Sequence, residues 1–260
     1  MTKISIKTAE EIKIMAEGGQ KLARVRDGLA EAVKPGVTPL DLDQLADKLI
    51  AKEGAKASFK MVPGYSNATC ICINDEVVHG IPTAKQRFAE GDLVGIDVGI
   101  FYKGWHTDTS TTVAIKTGNK SLESKNEKFL TTGRTALKRA IEQVKIGKRV
   151  ADISAAMQEV IEKAGYSPIQ ALTGHGVGRE LHEEPAIPCF VLGKYEHSPK
   201  LVEGMVIAVE VMYNEGSPEV VYKDTDGWTI ITADGKISGL FEETVAVTKN
   251  GPQVLTQRLK

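Results

Sequence analysis

The sequence predicts an α/β fold made of two similar halves, each running helix, helix, strands, and related by a pseudo-twofold axis. Three observations lead there. Helical periodicity alternates with short apolar runs along the chain. Residues 144–165 repeat residues 33–54 at a constant offset of 111, with identities at Val33/Val144, Lys34/Lys145, Gly36/Gly147, Asp41/Asp152, Ile50/Ile161, Lys52/Lys163 and Gly54/Gly165. Average residue usage would give about one or two such matches in a stretch of this length. Further on, Glu90-Gly91-Asp92-Leu93-Val94-Gly95-Ile96-Asp97 is echoed by Glu203-Gly204-Met205-Val206-Ile207-Ala208-Val209-Glu210 at an offset of 113. Each copy reads as a Glu-Gly turn, a buried apolar strand and a terminal carboxylate, which would set Asp97 and Glu210 opposite each other at the axis. Only two copies occur, so a long solenoid is excluded.

The elements follow in order. Thr8-Ala9-Glu10-Glu11 is a capping box. Ile12, Met15, Leu22, Val25, Leu29 and Val33 follow at helical spacing until Pro35-Gly36 stops the helix. Thr38-Pro39 starts a second helix, with proline at the first position where its missing amide does no harm. Leu42, Leu45, Leu49 and Ile50 form its buried stripe, and Gly54 closes it. Strand signals fall at 70–74, 93–98, 109–114, 206–211, 228–232 and 240–248, and helical periodicity returns over 124–144. No low-complexity linker divides the halves, so residues 1–260 are expected to form one compact domain with halves at 8–115 and 119–248.

Composition narrows the function. The 260 residues are 42% hydrophobic, and 33 Lys+Arg against 34 Asp+Glu leave a net charge of −1, so no field attracts nucleic acid or anionic lipid. No apolar run approaches the ~18 residues of a membrane span, and Met1-Thr2-Lys3-Ile4-Ser5-Ile6-Lys7 lacks a signal-peptide core. Cys70, Cys72 and Cys189 make an odd count without CxxC, against a disulfide framework or zinc ribbon. A cytoplasmic globular protein is expected.

The chemistry lies in acids set in apolar strands, where a carboxylate is costly unless paired or bound to a cation. Asp97 and Glu210 are two. Glu242, in Gly239-Leu240-Phe241-Glu242-Glu243-Thr244-Val245, is a third. Asp108, in His106-Thr107-Asp108-Thr109-Ser110, is a fourth, and a hairpin through Gly104 would bring it back beside Asp97. Any one alone reads as solvated or salt-bridged; four together, two of them repeat-related, read better as a hard-cation site. Gly174-His175-Gly176-Val177-Gly178 adds an imidazole among glycines. His79 and His182 sit beside Gly80 and Pro185 breaks and would reach into a cleft as donors or proton shuttles. His197 reads as an exposed loop residue, and His106 as a weaker ligand than Asp108. Four carboxylates and one imidazole suit two adjacent divalent ions (Mn, Fe, Co or Zn) that activate water against a carbonyl or phosphoryl centre. Residue types do not choose between those centres.

Taken together these motifs resemble the type I methionine aminopeptidases of the pita-bread metallopeptidase fold. The carriers are Asn74-(x4)-His79-Gly80-Ile81-Pro82, Gly91-Asp92-(x4)-Asp97-Val98-Gly99, Asp108-Thr109-Ser110, Gly174-His175-Gly176-Val177-Gly178-Arg179, His182-Glu183-Glu184-Pro185 and Asp226-Gly227-Trp228. The resemblance spans essentially the whole chain. It implies two pseudo-symmetric halves around a central antiparallel sheet and places the family's five metal ligands on Asp97, Asp108, His175, Glu210 and Glu242. It makes Asp97 the ligand of one ion, Asp108 and Glu242 bridges, and His175 and Glu210 ligands of the other. It further implies that Glu210 accepts a proton from the attacking water, that His79 and His182 contact substrate, and that Tyr65, Cys70 and Trp228 line a methionine pocket. The implied reaction is removal of the initiator methionine from nascent chains, preferentially before a small, uncharged residue, by a monomeric enzyme. Ribosome association is left open.

The chain departs from the family pattern at Val211, where proline commonly follows Glu210, and at Glu243, where histidine commonly follows Glu242. It also departs at Phe59, Val62 and Leu181 in the pocket. Proline-specific peptidases of this fold carry an extra N-terminal domain, for which no room is expected before the Thr8 helix. Type II enzymes carry a large insertion between His182 and Glu210, where only 27 residues lie. Non-catalytic members lose ligands, and none is lost here.

Overall fold

The computed structural model describes residues 4–223 and 226–258; Met1-Thr2-Lys3 of the N-terminal stretch read above lie outside them. Helix α1 spans Ala9–Ala32 and α2 spans Pro39–Lys52, both entered through capping boxes, Thr8 with Glu11 and Thr38 with Asp41. In the second half α3 spans Lys120–Ile141 and α4 spans Val150–Lys163. Asn119 Oδ1 accepts from the Ser121 and Leu122 amides, which starts α3 ahead of the periodicity at 124. The repeat identities now have physical causes. Asp41 and Asp152 each accept the backbone N–H that enters the helix, at 2.8 Å from Thr38 and from Arg149. Gly54 and Gly165 leave α2 and α4 at φ of +70° and +85°, where a Cβ would be strained.

The strands of the first half are β1 (Lys56–Ala57), β2 (Thr69–Ile73), β3 (Glu76–Val78), β4 (Leu93–Tyr102) and β5 (Trp105–Ala114). Those of the second are β6 (Ser167–Pro168), β7 (Thr173–Gly176), β8 (Glu183–Pro188), β9 (Val206–Asn214), β10 (Val220–Tyr222), β11 (Ile230–Thr232), β12 (Ser238–Thr248) and β13 (Gly251–Val254). One antiparallel sheet runs β1-β4-β5-β12-β9-β7-β8, with β2 on β4, β6 on β9 and β13 on β12; β10, β11 and β3 form a second, small sheet. The expected mixed α/β architecture with a central antiparallel sheet is present.

The strands are longer than their apolar runs. Asp97 and Glu210 therefore lie within β4 and β9, not at their ends, because β4 runs on to Tyr102 and β9 to Asn214. Trp228 was expected in a strand but precedes β11, where Asp226 Oδ1 accepts from the Trp228 and Thr229 amides and holds a turn.

Period-two alternation then divides the two faces of the sheet. Val94, Ile96, Val98 and Ile100 pack with α1 and α2 residues in one core. Ile207, Val209, Val211, Tyr213, Phe241, Val245 and Val247 pack with α3 and α4 in another. Both pairs of helices thus cover one face, and Asp97, Glu210 and Glu242 project from the other. No helix among the described residues is long and apolar enough to cross a membrane.

The helix-to-sheet contact is closest at Gly133 of α3. A Cβ there would stand 2.5 Å from ring carbons of Phe241 and 2.7 Å from Tyr213 Cε1. In an open helix Gly→Ala gains about 0.5–1 kcal/mol, but overpacking of this kind costs about 1–3 kcal/mol and dominates. Gly133→Ala is therefore expected to lower the urea midpoint of unfolding; a raised midpoint would contradict this packing.

Candidate metal centre

Strand register builds the site. Asp97 pairs with Ser110 across β4 and β5, Ser110 with Glu242 across β5 and β12, and Glu242 with Glu210 across β12 and β9. A single row across four strands about 4.8 Å apart thus carries three carboxylates, with Ser110 set between Asp97 and Glu242. Asp97 and Glu210 flank the axis without facing each other directly, because β5 and β12, the strands paired with β4 and β9, form the central pair. The hairpin through Gly104 returns Asp108 opposite Gly99, two residues from Ser110 on the same face. Gly99 lets it approach, since a Cβ there would lie 3.1 Å from Asp108 Oδ1. His175 of β7 pairs with Ala208, two residues before Glu210.

Ligand atoms of Asp108, His175 and Glu242 lie within 4.8 Å of one another. Asp97, Asp108, His175 and Glu210 line one cavity of about 410 Å³, while Glu242 is 1% exposed. Asp97 Oδ1 and both carboxylate oxygens of Glu242 are buried without a hydrogen-bond partner among the described residues. Such oxygens are costly unless protonated or coordinated.

The electrostatics agree. Burial lifts the Asp108 carboxyl up to about 7, against the Thr109 amide that lowers it. Burial and then Asp108 lift Glu210 up to about 8. Burial and the neighbouring acids push Asp97 and Glu242 well above the ordinary carboxylate range. His175 goes the other way, down to about 4, through burial and then His182. Its imidazole is neutral at pH 7, with Nδ1 2.8 Å from Gly176 O, as a metal-ligating nitrogen requires. Four crowded acids and a neutral imidazole are a donor set that fits divalent cations.

The remaining expected residues share the cavity. His79, His182, Tyr65, Cys70 and Trp228 line it, together with Phe59, Val62 and Leu181. His79 sits at φ 57° beside Gly80, with its ring edge-on to Trp228 at 6.4 Å. His182 packs edge-on to His175 at 4.5 Å. Burial lowers the pKa of both, His182 adding to the effect on His79, so each is a neutral donor at pH 7. Tyr65 donates to Thr69 O at 2.7 Å and meets Trp228 edge-on at 5.1 Å.

Two departures lie away from the cavity. Glu243 faces the helices, 3.0 Å from Arg26 and bonded to Thr256, and Val211 is buried in the core beneath α3 and α4. Of the other histidines, His197 is exposed, and His106 is buried with Nδ1 2.8 Å from Ser58 Oγ.

Leu172, Thr173 and Met212 line the cavity too and were not foreseen. Their signal was the period-two spacing of Thr173 from His175 and of Met212 from Glu210.

The family profile described as metallopeptidase family M24 matches residues 13–249. The methionine aminopeptidase of Aquifex aeolicus is 42% identical over 260 residues, covering 98% of this chain and 99% of its own. That of Clostridium perfringens is 40% identical over 253 residues, covering 97% and 98%. The crystal structure of methionine aminopeptidase from Thermotoga maritima superposes with a TM-score of 0.92 at 38% identity, covering 98% of this chain and 100% of that one. With this fold, this donor set and this extent of similarity, the chain belongs to metallopeptidase family M24 and, within it, to the methionine aminopeptidases.

Proposed function

We propose that this chain removes the initiator methionine from nascent proteins whose second residue is small and uncharged, and that two divalent ions serve it. The observation that carries the reading is the row of buried carboxylates, with unpartnered oxygens on Asp97 and Glu242, opening beside an aromatic cavity. Asp97, Asp108, His175, Glu210 and Glu242 would hold them. When bound, the ions polarise the scissile carbonyl, acidify water and attract the free α-amine that defines an aminopeptidase.

The chain's own residues supply the rest. A carboxylate oxygen of Glu210 takes the proton of the attacking water. Neutral His79 and His182 donate N–H to the substrate carbonyl as it becomes an oxyanion. Phe59, Tyr65, Cys70 and Trp228 receive the methionine side chain, whose thioether is favoured against aromatic rings. With only 27 residues between His182 and Glu210, the type I form is the one supported. We place the activity in a single domain spanning residues 1–260, acting as a cytoplasmic monomer on termini emerging from the ribosome. The balanced charge supports no direct contact with nucleic acid.

Assay of metal-stripped protein with Mn, Co, Fe or Zn added singly tests the function. Met-Ala-Ser is cleaved only with metal and Pro-Ala-Ser is not; metal-independent cleavage, or preference for the proline peptide, would overturn the reading. His79→Ala lowers kcat by about a hundredfold and leaves calorimetric metal binding unchanged. Loss of a bound ion in that variant would instead make His79 a ligand.

A pH dependence follows from burial. In the folded, metal-free chain Asp108 and Glu210 keep their protons to about 7 and about 8, whereas the unfolded chain releases them near about pH 4. The folded state binds more protons between those limits. Their contribution to stability is therefore full below about pH 4 and is lost as pH rises through 7 to 8. Cations compete with the same protons, so metal affinity rises over that window. The gap in Tm between manganese-loaded and metal-stripped protein should widen from pH 5 to pH 8.5; a constant gap would contradict the account.

A further inference from the structure

The turn joining β7 to β8 has His175 near one end and His182 at the other, and it is gripped by the opposite end of the chain. Lys7 Nζ lies 2.6 Å from Glu183 Oε2, immediately after His182, with side-chain exposures of 1% and 11%. The other Glu183 oxygen accepts from the Arg179 amide at 2.8 Å and the Glu180 amide at 3.3 Å, so one carboxylate closes the turn and ties it to Lys7. Gly178 makes room for this: a Cβ there would stand 2.5 Å from Glu183 Oε1 and 2.6 Å from Lys7 Cε. The arm carrying Lys7 is itself anchored. The Lys7 amide donates to Gly204 O at 2.8 Å, and the Gly204 amide to Val247 O at 3.0 Å. A second contact reinforces the first, with Glu11 of α1 3.6 Å from Arg179, whose guanidinium lies 4.0 Å over the Trp105 ring.

A buried ammonium–carboxylate pair is a poor source of stability, because desolvation offsets most of the attraction. Burial lowers the Lys7 pKa even with Glu183 in contact. What the pair does supply is a fixed point. It joins residues 176 positions apart, next to a histidine whose ring already packs on His175.

We propose that Lys7 is a positioning residue for the aminopeptidase reaction: through Glu183 it fixes the 178–183 turn, so that His182 is held facing the substrate carbonyl. This rests on the reading of His182 as a substrate-contacting donor. A misplacement of that donor by about 1 Å is enough to cost up to about a hundredfold in rate.

The test compares Lys7→Met, Lys7→Met/Glu183→Gln and His182→Ala in the full-length, metal-loaded chain. The double variant leaves neither partner charged and buried and keeps an acceptor for the turn amides. In Lys7→Met, kcat on Met-Ala-Ser falls about tenfold or more, while calorimetric metal affinity stays within about twofold. In the double variant Tm returns toward the wild-type value, kcat stays low and the His182 ring resonances stay displaced in NMR spectra. Wild-type kcat in the double variant, or a double variant that does not fold, overturns the proposal, since the pair would then serve stability alone. Normal turnover by His182→Ala overturns the underlying reading of His182. Impaired His182→Ala with unimpaired Lys7→Met overturns the positioning role alone.

Discussion

Three carboxylates in one row of a sheet, two of them (Asp97 and Glu242) with buried oxygens that no donor among the described residues satisfies, form the constraint on which the rest of the molecule depends. Burial penalises each charge, and neighbouring acids add to the cost at Asp97, Glu210 and Glu242, so the free chain holds Asp97, Asp108, Glu210 and Glu242 at raised pKa values. Side chains on flexible loops would move apart. Here they cannot, because each acid sits within a strand whose opposite side is packed into a helix-covered core. The site's geometry is thus fixed by packing beneath it.

Duplication supplies the frame, and asymmetry within it supplies the chemistry. Each half contributes a helix pair and an antiparallel strand pair, and the two strand pairs meet along β5 and β12. At that junction the paired positions carry Ser110 and Glu242, so one half offers a hydroxyl where the other offers a carboxylate. Asp108 and His175 come from positions with no counterpart of the same type. A symmetric frame therefore presents an uneven donor set. The cavity beside it is uneven as well, with aromatic residues from the first half and from the turn before β11 on one side and His182 on another.

Much of this was legible in the sequence. The capping box at Thr8 and the proline after Thr38 marked two helix starts, and the repeat identities at Asp41/Asp152 and Gly54/Gly165 reported real helix ends. Apolar runs marked the strands that carry Asp97, Glu210 and Glu242, because both faces of those strands are buried. Their lengths were not legible: each acid interrupts an apolar run that resumes beyond it, as Val98-Gly99-Ile100-Phe101-Tyr102 in β4 and Val211-Met212-Tyr213 in β9. Nor was the facing of Glu243, which depends on Arg26 arriving from α1. The role of Lys7 in bracing the β7–β8 turn also escaped, since a lysine ahead of a capping box looks like an ordinary surface residue until Glu183 is brought to it.

The central claim is that five side chains from both halves share one pair of ions. Anomalous diffraction from crystals of the manganese-loaded chain tests it most directly. The account predicts two peaks, both within bonding distance of Asp108 and Glu242, one also bonded to Asp97 and the other to His175 and Glu210. Peaks at any other side chains, or a loaded protein in which the Glu242 oxygens remain uncoordinated, would contradict it.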